Sequence, residues 1–354
     1  MSPSEPRAAA RPDDLAVTAE RCAAQLLCGG PAASAEEVAV RLLAIQAQEL
    51  RGARLAVRAR SAGLSASDVD SALTRRSLII TWLNRGTLHM VCTEDYWWLH
   101  PLTTPQLRAG NSRRLAQEGV PPQHAERAVA AVQAALAADG PLTRSQLRER
   151  VAAAGVRTEG QAMVHILALA TIRGLVVRGP VSARDQAFVL VQDWLGTPPP
   201  AMSGEAALGE LARRYLAGHA PAADRDLARW AGIGLRDARI GLARCGATQR
   251  EDGLAELPAS PQRAAAALPP PRLLGPFEPL LLGWASRDPI VGPHRRIVTV
   301  NGLFRPFALA GGRAVATWTI AGGQVSLAPL APLDTRTQAA LAADAADVLR
   351  FLGE

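Results

Sequence analysis

The sequence contains no lysine: all 39 basic residues of this 354-residue chain are arginine. Without lysine, a Schiff base can form only through the N-terminal amine, because no side-chain amine is present. Arginine in place of lysine is typical of GC-rich genomes, yet the planar guanidinium still offers phosphate a fork of donors. The net charge of +7 and the pI near 10.3 are therefore compatible with a nucleic-acid partner.

Metal-binding motifs and long apolar runs are also lacking. The four cysteines and six histidines form neither a CxxC pair nor an HExxH motif, so we expect no metal site and no cofactor. No apolar run approaches the length of a membrane-spanning helix, and residues 1–14 lack the apolar core of a signal peptide. These absences predict a cytoplasmic protein with reduced cysteines and no membrane partner.

What is present begins with three helical patterns and a hairpin pattern. Ser34 and either Ser65 or Ser67 are predicted helix caps, and the helix after Ser34 runs into Gln-Ala-Gln at 46–48. β-Branched and aromatic residues then flank residues 84–86, Asn-Arg-Gly, which predicts two strands around a short turn. Helices followed by a hairpin are the order of a winged-helix unit, in which the hairpin is the wing.

Similar patterns recur further along the chain. Residues 141–195 read as helix, helix, strand, strand, and residues 223–246 read as two helices joined by Gly-Ile-Gly. Proline-rich strings and short strand patterns follow, with a closing helix near residues 334–352.

We therefore predict an α+β, helix-rich fold of three tandem winged-helix modules with a C-terminal β-rich domain. The predicted segments are a disordered lead-in (1–14), winged helix 1 (15–120), winged helix 2 (121–200), winged helix 3 (201–268) and a β-rich domain with a terminal helix (269–354).

Gln46 and Gln48 would by themselves be interpreted as solvated or capping residues at a helix end. On a regular helix, residues i and i+2 diverge by about 200°. Both side chains can therefore address one ligand only if the helix ends at this point.

Several separated motifs together resemble the AlkZ-like family of bacterial DNA glycosylases, in its Gln-Φ-Gln form, where Φ is apolar. They are LLAIQAQELRGARLAVRAR, DVDSAL, TWLNRGTLHMV, EDYWWL, DLARWAGI, LLGPFEPLLLGW and NGLFRPFAL. The resemblance runs from about Thr18 over nearly the whole chain. It implies three winged-helix modules with a β-rich C-terminal part. It also implies removal of N-alkylated purines, including bulky adducts and interstrand crosslinks made by genotoxic natural products.

The family's catalytic motif is Gln-Φ-Gln or Gln-Φ-Asp, so the resemblance implies that Gln46 and Gln48 are catalytic. Alkylation at N7 makes the purine cationic and the glycosidic bond weak, so two neutral carboxamides can suffice to stabilise the developing sugar cation and hold a water. The lack of lysine predicts a monofunctional glycosylase without lyase activity. We expect a monomer whose partner is double-stranded DNA carrying alkylated purines.

Nine further residues are candidates for DNA contact: Arg54, Arg85, Thr87, His89, Trp284, Arg287, His294, Arg295 and Arg296. The three beside the first wing can equally serve cross-strand contacts, and His89 can be a buried histidine. The basic cluster at 287–296 is either a solvated loop or a hairpin tip that probes the minor groove. Arg54, together with Arg58 and Arg60, either lines the cleft of the Gln-Ala-Gln motif or is simple surface charge. Trp284 is a candidate for stacking on a base.

Two other interpretations fit the same helix and wing patterns. A non-catalytic winged-helix DNA-binding regulator would bind a specific sequence and release no base. A protein-interaction scaffold would have no salt-sensitive affinity for DNA.

Overall fold

A computed structural model describes residues 12–182, 185–202, 204–258, 267–294, 296–299 and 302–354. Most of the expected lead-in lies outside the described residues, but a helix already begins at Pro12, within the segment expected to be disordered. None of the helices in the described ranges is both long and apolar enough to cross a membrane.

The first third of the chain contains the predicted helices and hairpin. Its elements are α1 (Pro12–Ala24), α2 (Ala35–Leu42), β1 (Ile45–Gln46), α3 (Leu50–Arg58), α4 (Ala66–Thr74), β2 (Leu78–Leu83) and β3 (Thr87–Cys92). The Ser34 hydroxyl accepts from the Glu37 N–H, and the Asp68 carboxylate accepts from the Ser65 N–H at 2.7 Å. Both helix starts are therefore confirmed, with Ser65 as the second cap.

Helix α2 ends earlier than the sequence pattern predicts. Leu43 has a φ of 62°, a left-handed conformation that turns the chain away from the helix axis. Strand β1 then pairs antiparallel with β3, with Gln46 opposite His89. The Gln-Ala-Gln motif thus begins in a short strand and not at a helix end, and in extended backbone alternate side chains share one side.

The second set of elements confirms the predicted helix, helix, strand, strand order over residues 144–190, and that order is preceded by three helices that the sequence pattern did not predict. Its elements are α5 (Thr93–Thr103), α6 (Leu107–Gln117), α7 (Pro122–Asp139), β4 (Leu142–Thr143), α8 (Arg144–Ala153), α9 (Ala162–Ile172), β5 (Val176–Ser182) and β6 (Asp185–Leu190). Residues 191–195, the end of the second predicted strand, are helical instead.

The two hairpins that the sequence predicts as wings are joined in one sheet, which the sequence pattern does not predict. Strands β1 to β6 form one six-stranded sheet, in the order β1-β3-β2-β5-β6-β4. Ile80 on β2 is the register partner of Arg178 on β5, and both strands pair antiparallel. This pairing places Arg178 in the same sheet as Gln46, which lies on β1 on the other side of the first hairpin.

A helical group follows the sheet. Its elements are α10 (Val191–Leu195), α11 (Gly204–His219), α12 (Asp224–Ala231), α13 (Leu235–Arg244), β7 (Thr248–Gln249) and β8 (Ala255–Glu256). Gly232 ends α12 with a φ of 71°, as the predicted Gly-Ile-Gly turn requires.

The C-terminal region is β-rich and closes with a helix, as predicted. Its elements are β9 (Arg272–Leu274), α14 (Pro279–Leu282), α15 (Asp288–Val291), β10 (Phe307–Ala310), β11 (Arg313–Ala321), β12 (Gln324–Pro329) and α16 (Thr335–Leu352). The strands form an antiparallel sheet in the order β12-β11-β10-β9. The strand predicted through LLGPFEPLLLGW is wrong after Leu274, because Glu278 caps α14 and Pro279 occupies its first turn.

The hydrophobic core crosses the predicted module boundaries. Ile80 and Met90 of the first hairpin pack in one cluster with Ile166 of α9. Tyr215 of α11 and Phe307 of β10 belong to a second cluster. Both clusters therefore fix the hairpins, the helical group and the C-terminal sheet against one another.

Candidate active site

The two glutamines of the Gln-Ala-Gln motif are joined by a hydrogen bond. The Gln46 Nε2 donates to the Gln48 Oε1. Gln46 is 7% exposed, Ala47 is buried and Gln48 is exposed. The Ala47 N–H donates to the Leu88 carbonyl at 2.7 Å, which holds the motif against the first hairpin. The motif therefore presents one shielded and one open carboxamide on the same side of the chain.

Gln48 lies between two neighbouring cavities. The larger, of about 720 Å³, is lined by Gln48, Trp82, Arg85, Gly86, Leu88, Gln106, Leu107, Gly110, Asn111, Arg114, Arg144, Val164, His165, Ala168, Ile172 and Arg178. No aspartate or glutamate is among these lining residues. The smaller, of about 410 Å³, is lined by Gln48, Leu50, Arg144, Ser145, Arg148, Arg178, Asp185, Gln186 and Phe188. A cation-rich cavity of this size suits an anionic ligand of considerable bulk.

Sequence reasoning missed four arginines of these cavities: Arg114, Arg144, Arg148 and Arg178. None of them forms an ion pair with another of the described residues. Burial, followed by the nearby charge of Arg144, lowers the pKa of Arg178 to about 10. Its guanidinium lies 5.3 Å from the Trp82 ring and 5.1 Å from the Phe188 ring. The i,i+4 spacing of Arg144 and Arg148 on α8 was a visible signal, but the neighbouring Arg178 depends on the pairing of β2 with β5.

Arg85, a predicted site residue, lies beside Gln46. Its Nη1 donates to the Trp230 carbonyl at 2.7 Å and to the Arg229 carbonyl at 3.2 Å, and its Nη2 donates to the Gln46 Oε1 at 3.4 Å. Burial, followed by the nearby charges of Arg229 and Arg287, lowers the pKa of Arg85 to about 10. Arg85 therefore stays charged at neutral pH. Its bonds to Arg229 and Trp230 place the hairpin turn against the end of α12.

Thr87 and His89 lie on β3, where His89 is the register partner of Gln46. His89 is 2% exposed, and its Nδ1 donates to the Thr87 carbonyl at 2.9 Å. That bond leaves the Nε2 as an acceptor, 3.5 Å from the Thr87 hydroxyl. Burial lowers the pKa of His89 to about 3, with the charge of Arg85 acting in the same direction. His89 is thus a neutral side chain that supports the strand pairing under Gln46.

His89 and His219 predict a loss of stability in mild acid. Burial lowers the pKa of each to about 3, whereas an unfolded histidine titrates near 6.5. Between these values the unfolded chain binds protons that the folded chain does not. The free energy of unfolding should therefore fall with decreasing pH, by up to about 1.4 kcal/mol per pH unit for each histidine.

Urea denaturation at pH 7, 6 and 5 measures this slope. The His89→Gln variant retains a donor for the Thr87 carbonyl and should lose the part of the slope that His89 contributes. The slope that remains comes from His219 and from His100, whose pKa values burial also lowers. A midpoint that does not change between pH 7 and pH 5 in the wild-type protein would contradict the assignment.

The arginines that follow the motif are paired with carboxylates of the protein, so they neither line the cleft nor act as free surface charge, the two alternatives left open by the sequence. Arg54 forms a bidentate pair with Asp70 at 2.6 and 2.7 Å. Arg58 forms another with Asp344 at 2.7 Å, and Arg60 is fully buried. Because these guanidiniums are neutralised by carboxylates within the protein, they are poorly placed to bind phosphate.

The proposed stacking role of Trp284 is also corrected. Its side chain is 3% exposed, and its Nε1 donates to the His219 carbonyl at 3.1 Å. The Arg21 guanidinium covers the ring at 4.7 Å. A ring enclosed in this way has no face available for a nucleobase.

The basic cluster at 287–296 does not form the predicted hairpin tip. Arg287 precedes the short helix α15, donates to the Leu281 carbonyl at 2.9 Å and lies 5.1 Å from the Phe304 ring. His294 is partly buried, Arg296 is exposed and Arg295 lies outside the described residues. Pro289 in the first turn of α15 favours the helix over a strand at this point. Arg296 therefore remains a candidate for DNA contact, whereas Arg287 is bound within the protein.

Comparisons with known proteins place this geometry in a family. The family model described as DNA glycosylase AlkZ-like matches residues 39–351. A relative from Streptomyces sahachiroi named "Interstrand DNA cross-link repair glycosylase" is 28% identical over 90% of this chain and 91% of its own. The solved structure of Streptomyces sahachiroi DNA glycosylase AlkZ superposes with a TM-score of 0.78 at 25% identity, covering 96% of each chain. The chain therefore belongs to the AlkZ-like family of DNA glycosylases.

Proposed function

We propose that the chain hydrolyses the N-glycosidic bond of cationic N7-alkylated purines in double-stranded DNA, with Gln46 and Gln48 as its catalytic residues. The observation that carries the proposal is the hydrogen-bonded carboxamide pair beside a cavity without acidic lining residues. The Streptomyces sahachiroi relative is named for interstrand cross-link repair, which supports bulky adducts and crosslinks as further substrates.

The chemistry of the lesion fits two neutral amides. Alkylation at N7 places positive charge on the purine, so the base leaves with little help from an acid. As the bond stretches, carbonyl dipoles can stabilise the sugar cation and accept a hydrogen bond from the attacking water. A carboxamide is too weak a base to activate water strongly for an uncharged leaving group. We therefore infer selectivity for cationic lesions.

The surroundings of Gln48 support an extended and bulky ligand. Arg114, Arg144 and Arg148 are exposed beside the cavities and form no ion pair with the described residues, so they are available to phosphate. A volume of about 720 Å³ exceeds what a single base needs and leaves room for an adduct. We infer that the lesion is engaged with limited extrusion from the duplex.

The missing lysine supports a monofunctional reaction. A glycosylase that also cleaves the strand by β-elimination needs an amine nucleophile, and no side chain of this sequence supplies one. The product should be an intact abasic site.

We also propose the domain scheme of winged-helix modules at 15–120, 121–200 and 201–268, followed by the β-rich domain at 269–354. Hairpins β2–β3, β5–β6 and β7–β8 each follow helices, which supports three units of this type. The first two are joined through a common sheet.

The test is a base-release assay on duplexes that carry one N7-methylguanine. After incubation, heating in alkali breaks abasic sites, and a gel separates the products. We expect strand breaks from the methylated duplex only after alkali, and far slower release from a uracil duplex of the same sequence.

Three other outcomes would contradict the proposal. Comparable excision of uracil would remove the selectivity for cationic bases. Tight binding to one sequence without base release would favour a regulator. DNA affinity that does not fall as salt rises would favour a protein-interaction scaffold.

A further inference from the structure

The orientation of the Gln46 carboxamide is fixed by what surrounds it. The oxygen and nitrogen of a carboxamide are similar in size, so only their hydrogen-bond partners decide which way the group points. A guanidinium can only donate, and the Arg85 Nη2 lies 3.4 Å from the Gln46 Oε1. The reverse orientation would set an amide donor against a guanidinium donor. Arg85 therefore selects the orientation in which the Gln46 Nε2 donates to Gln48.

Arg85 is itself held by the C-terminal end of α12. The Trp230 and Arg229 carbonyls that accept from Arg85 belong to the last turn of this helix. The last carbonyls of a helix have no partner within the helix, and the negative end of the helix dipole favours a cation there. None of the described carboxylates pairs with Arg85, so these backbone groups are its principal partners.

The end of α12 fits closely against the turn that carries Arg85. A Cβ at Gly232 would lie 2.7 Å from the Asn84 carbonyl oxygen and 3.1 Å from the backbone nitrogen of Arg85. The Gln106 Nε2 donates to the Gly232 carbonyl at 2.9 Å and also to Thr103. Only glycine permits this approach, and it brings the helix end within reach of the Arg85 guanidinium.

We propose that Arg85 is a positioning residue. The carbonyls at the end of α12 hold its guanidinium in place, and the guanidinium in turn holds the Gln46 carboxamide in one orientation. A chain of donors runs from Arg85 to Gln46 and from Gln46 to Gln48, and each bond polarises the next. This order leaves a lone pair of the Gln46 oxygen and of the Gln48 oxygen available to accept from water. The helical group that contains α12 is thereby part of the proposed catalytic arrangement, although none of its described side chains forms a hydrogen bond with either glutamine. This inference rests on the proposed function for its kinetic consequence but not for its geometry.

The kinetic test separates the maximal single-turnover rate from the protein concentration at half saturation, using N7-methylguanine duplexes. Arg85→Ala should lower the maximal rate about 10- to 100-fold, in the range typical of residues that orient a catalytic group. Arg85→Lys should not restore the rate, because a single ammonium cannot reach the α12 carbonyls and Gln46 together. The matched control is Arg239→Ala, an exposed arginine on α13 that pairs with Asp224.

A double-mutant cycle identifies the path of the effect. In a Gln46→Ala background, Arg85→Ala should add little further loss, because the group that it orients is gone. A phosphate-binding role for Arg85 predicts different results. The protein concentration at half saturation would shift in Arg85→Ala while the maximal rate stayed unchanged. Arg85→Lys would restore the wild-type behaviour, and the effects of Arg85→Ala and Gln46→Ala would be additive. That pattern would overturn the proposal.

Nuclear magnetic resonance tests the geometry without any reaction. The side-chain amide signal of Gln46, assigned by its disappearance in Gln46→Ala, should lose its hydrogen-bonded shift and its order in Arg85→Ala. The Gln106 signal should not change, because Gln106 reports whether the end of α12 is still docked. An unchanged Gln46 signal would overturn the positioning role even if base release is observed. A changed Gln46 signal in a protein that releases no base would keep the positioning role and reject the proposed function.

Discussion

Gln46→Ala and Gln48→Ala should each lower the maximal single-turnover rate of N7-methylguanine release about 100- to 1,000-fold, the range for loss of one preorganised group at a developing charge. Gln46 should be the more sensitive position. It is almost fully buried, it accepts a hydrogen bond from the Arg85 guanidinium and it donates one to Gln48. Its removal therefore breaks both hydrogen bonds that link Arg85 to Gln48. DNA binding should change far less than the rate, because neither residue carries charge.

Gln186→Ala is the matched control for these variants. Gln186 is a partly buried glutamine that lines the smaller cavity next to Gln48, with no hydrogen bond to either residue of the pair. Its removal tests whether loss of any amide near the cavity slows the reaction. Equal rates in Gln46→Ala, Gln48→Ala and the wild-type protein would exclude the pair from the mechanism.

The direction of the hydrogen bond makes Gln48→Asp an informative variant. Gln48 accepts from Gln46, so an aspartate at this position can still accept, whereas an aspartate at position 46 could not donate. The Gln-Φ-Asp form that the family resemblance implies differs at this second position only. Gln48→Asp should therefore keep most of the activity that Gln48→Ala loses, and Gln46→Asp should not.

The features that the sequence could predict are local. The caps at Ser34 and Ser65, the hairpin turn at Asn84 and Gly86, and the Gly232 turn each depend on residues within one turn of the chain. Hydrophobic periodicity then predicted both hairpins of the six-stranded sheet and the helices α1, α2, α4, α8, α9, α12, α13 and α16, but it missed α3, α5, α6, α7 and α11. The glutamine pair became a candidate only through the motifs that surround it, because a Gln-Ala-Gln string by itself has no chemical signature.

The features that were missed depend on partners distant in the chain. The pairing of β2 with β5 places Arg178 near Gln48, and no local pattern encodes which two hairpins meet. The same limit explains the errors at Arg54 and Trp284, which look available in the sequence but are bound by Asp70 and enclosed beside His219. Charge and aromaticity predict affinity for DNA only when exposure is known.

The second large effect concerns Glu278. Glu278→Gln should lower the free energy of unfolding by about 3 to 5 kcal/mol, as is typical when one partner of a buried ion pair is lost. The Glu278 Oε1 lies 2.5 Å from the Arg60 Nη2, and both side chains are 0% exposed. Glutamine keeps the shape and the acceptor for the Leu280 N–H. The loss should therefore report mainly the charge that is left unpaired on Arg60. Urea denaturation at pH 7 measures it.

The position of this pair explains why the whole molecule should respond. Arg60 also donates to the Gln25 Oε1 at 2.7 Å and to the Ala56 carbonyl at 2.9 Å. The buried guanidinium thus joins the end of α1, the end of α3 and the start of α14, three segments that are far apart in the chain. The matched control is Asp139→Asn, which breaks the exposed pair with Arg150 and should cost less than about 1 kcal/mol.

A double variant distinguishes an unpaired charge from lost packing. Replacing both partners by apolar residues of similar volume, Arg60→Met with Glu278→Leu, removes the charge along with its partner. Such replacements are often neutral, so this protein should be more stable than Glu278→Gln alone. If the double variant is instead at least as unstable as Glu278→Gln, the stabilisation comes from the hydrogen bonds to Gln25 and Ala56 and not from charge pairing. A loss of less than about 1 kcal/mol in Glu278→Gln would contradict the prediction outright.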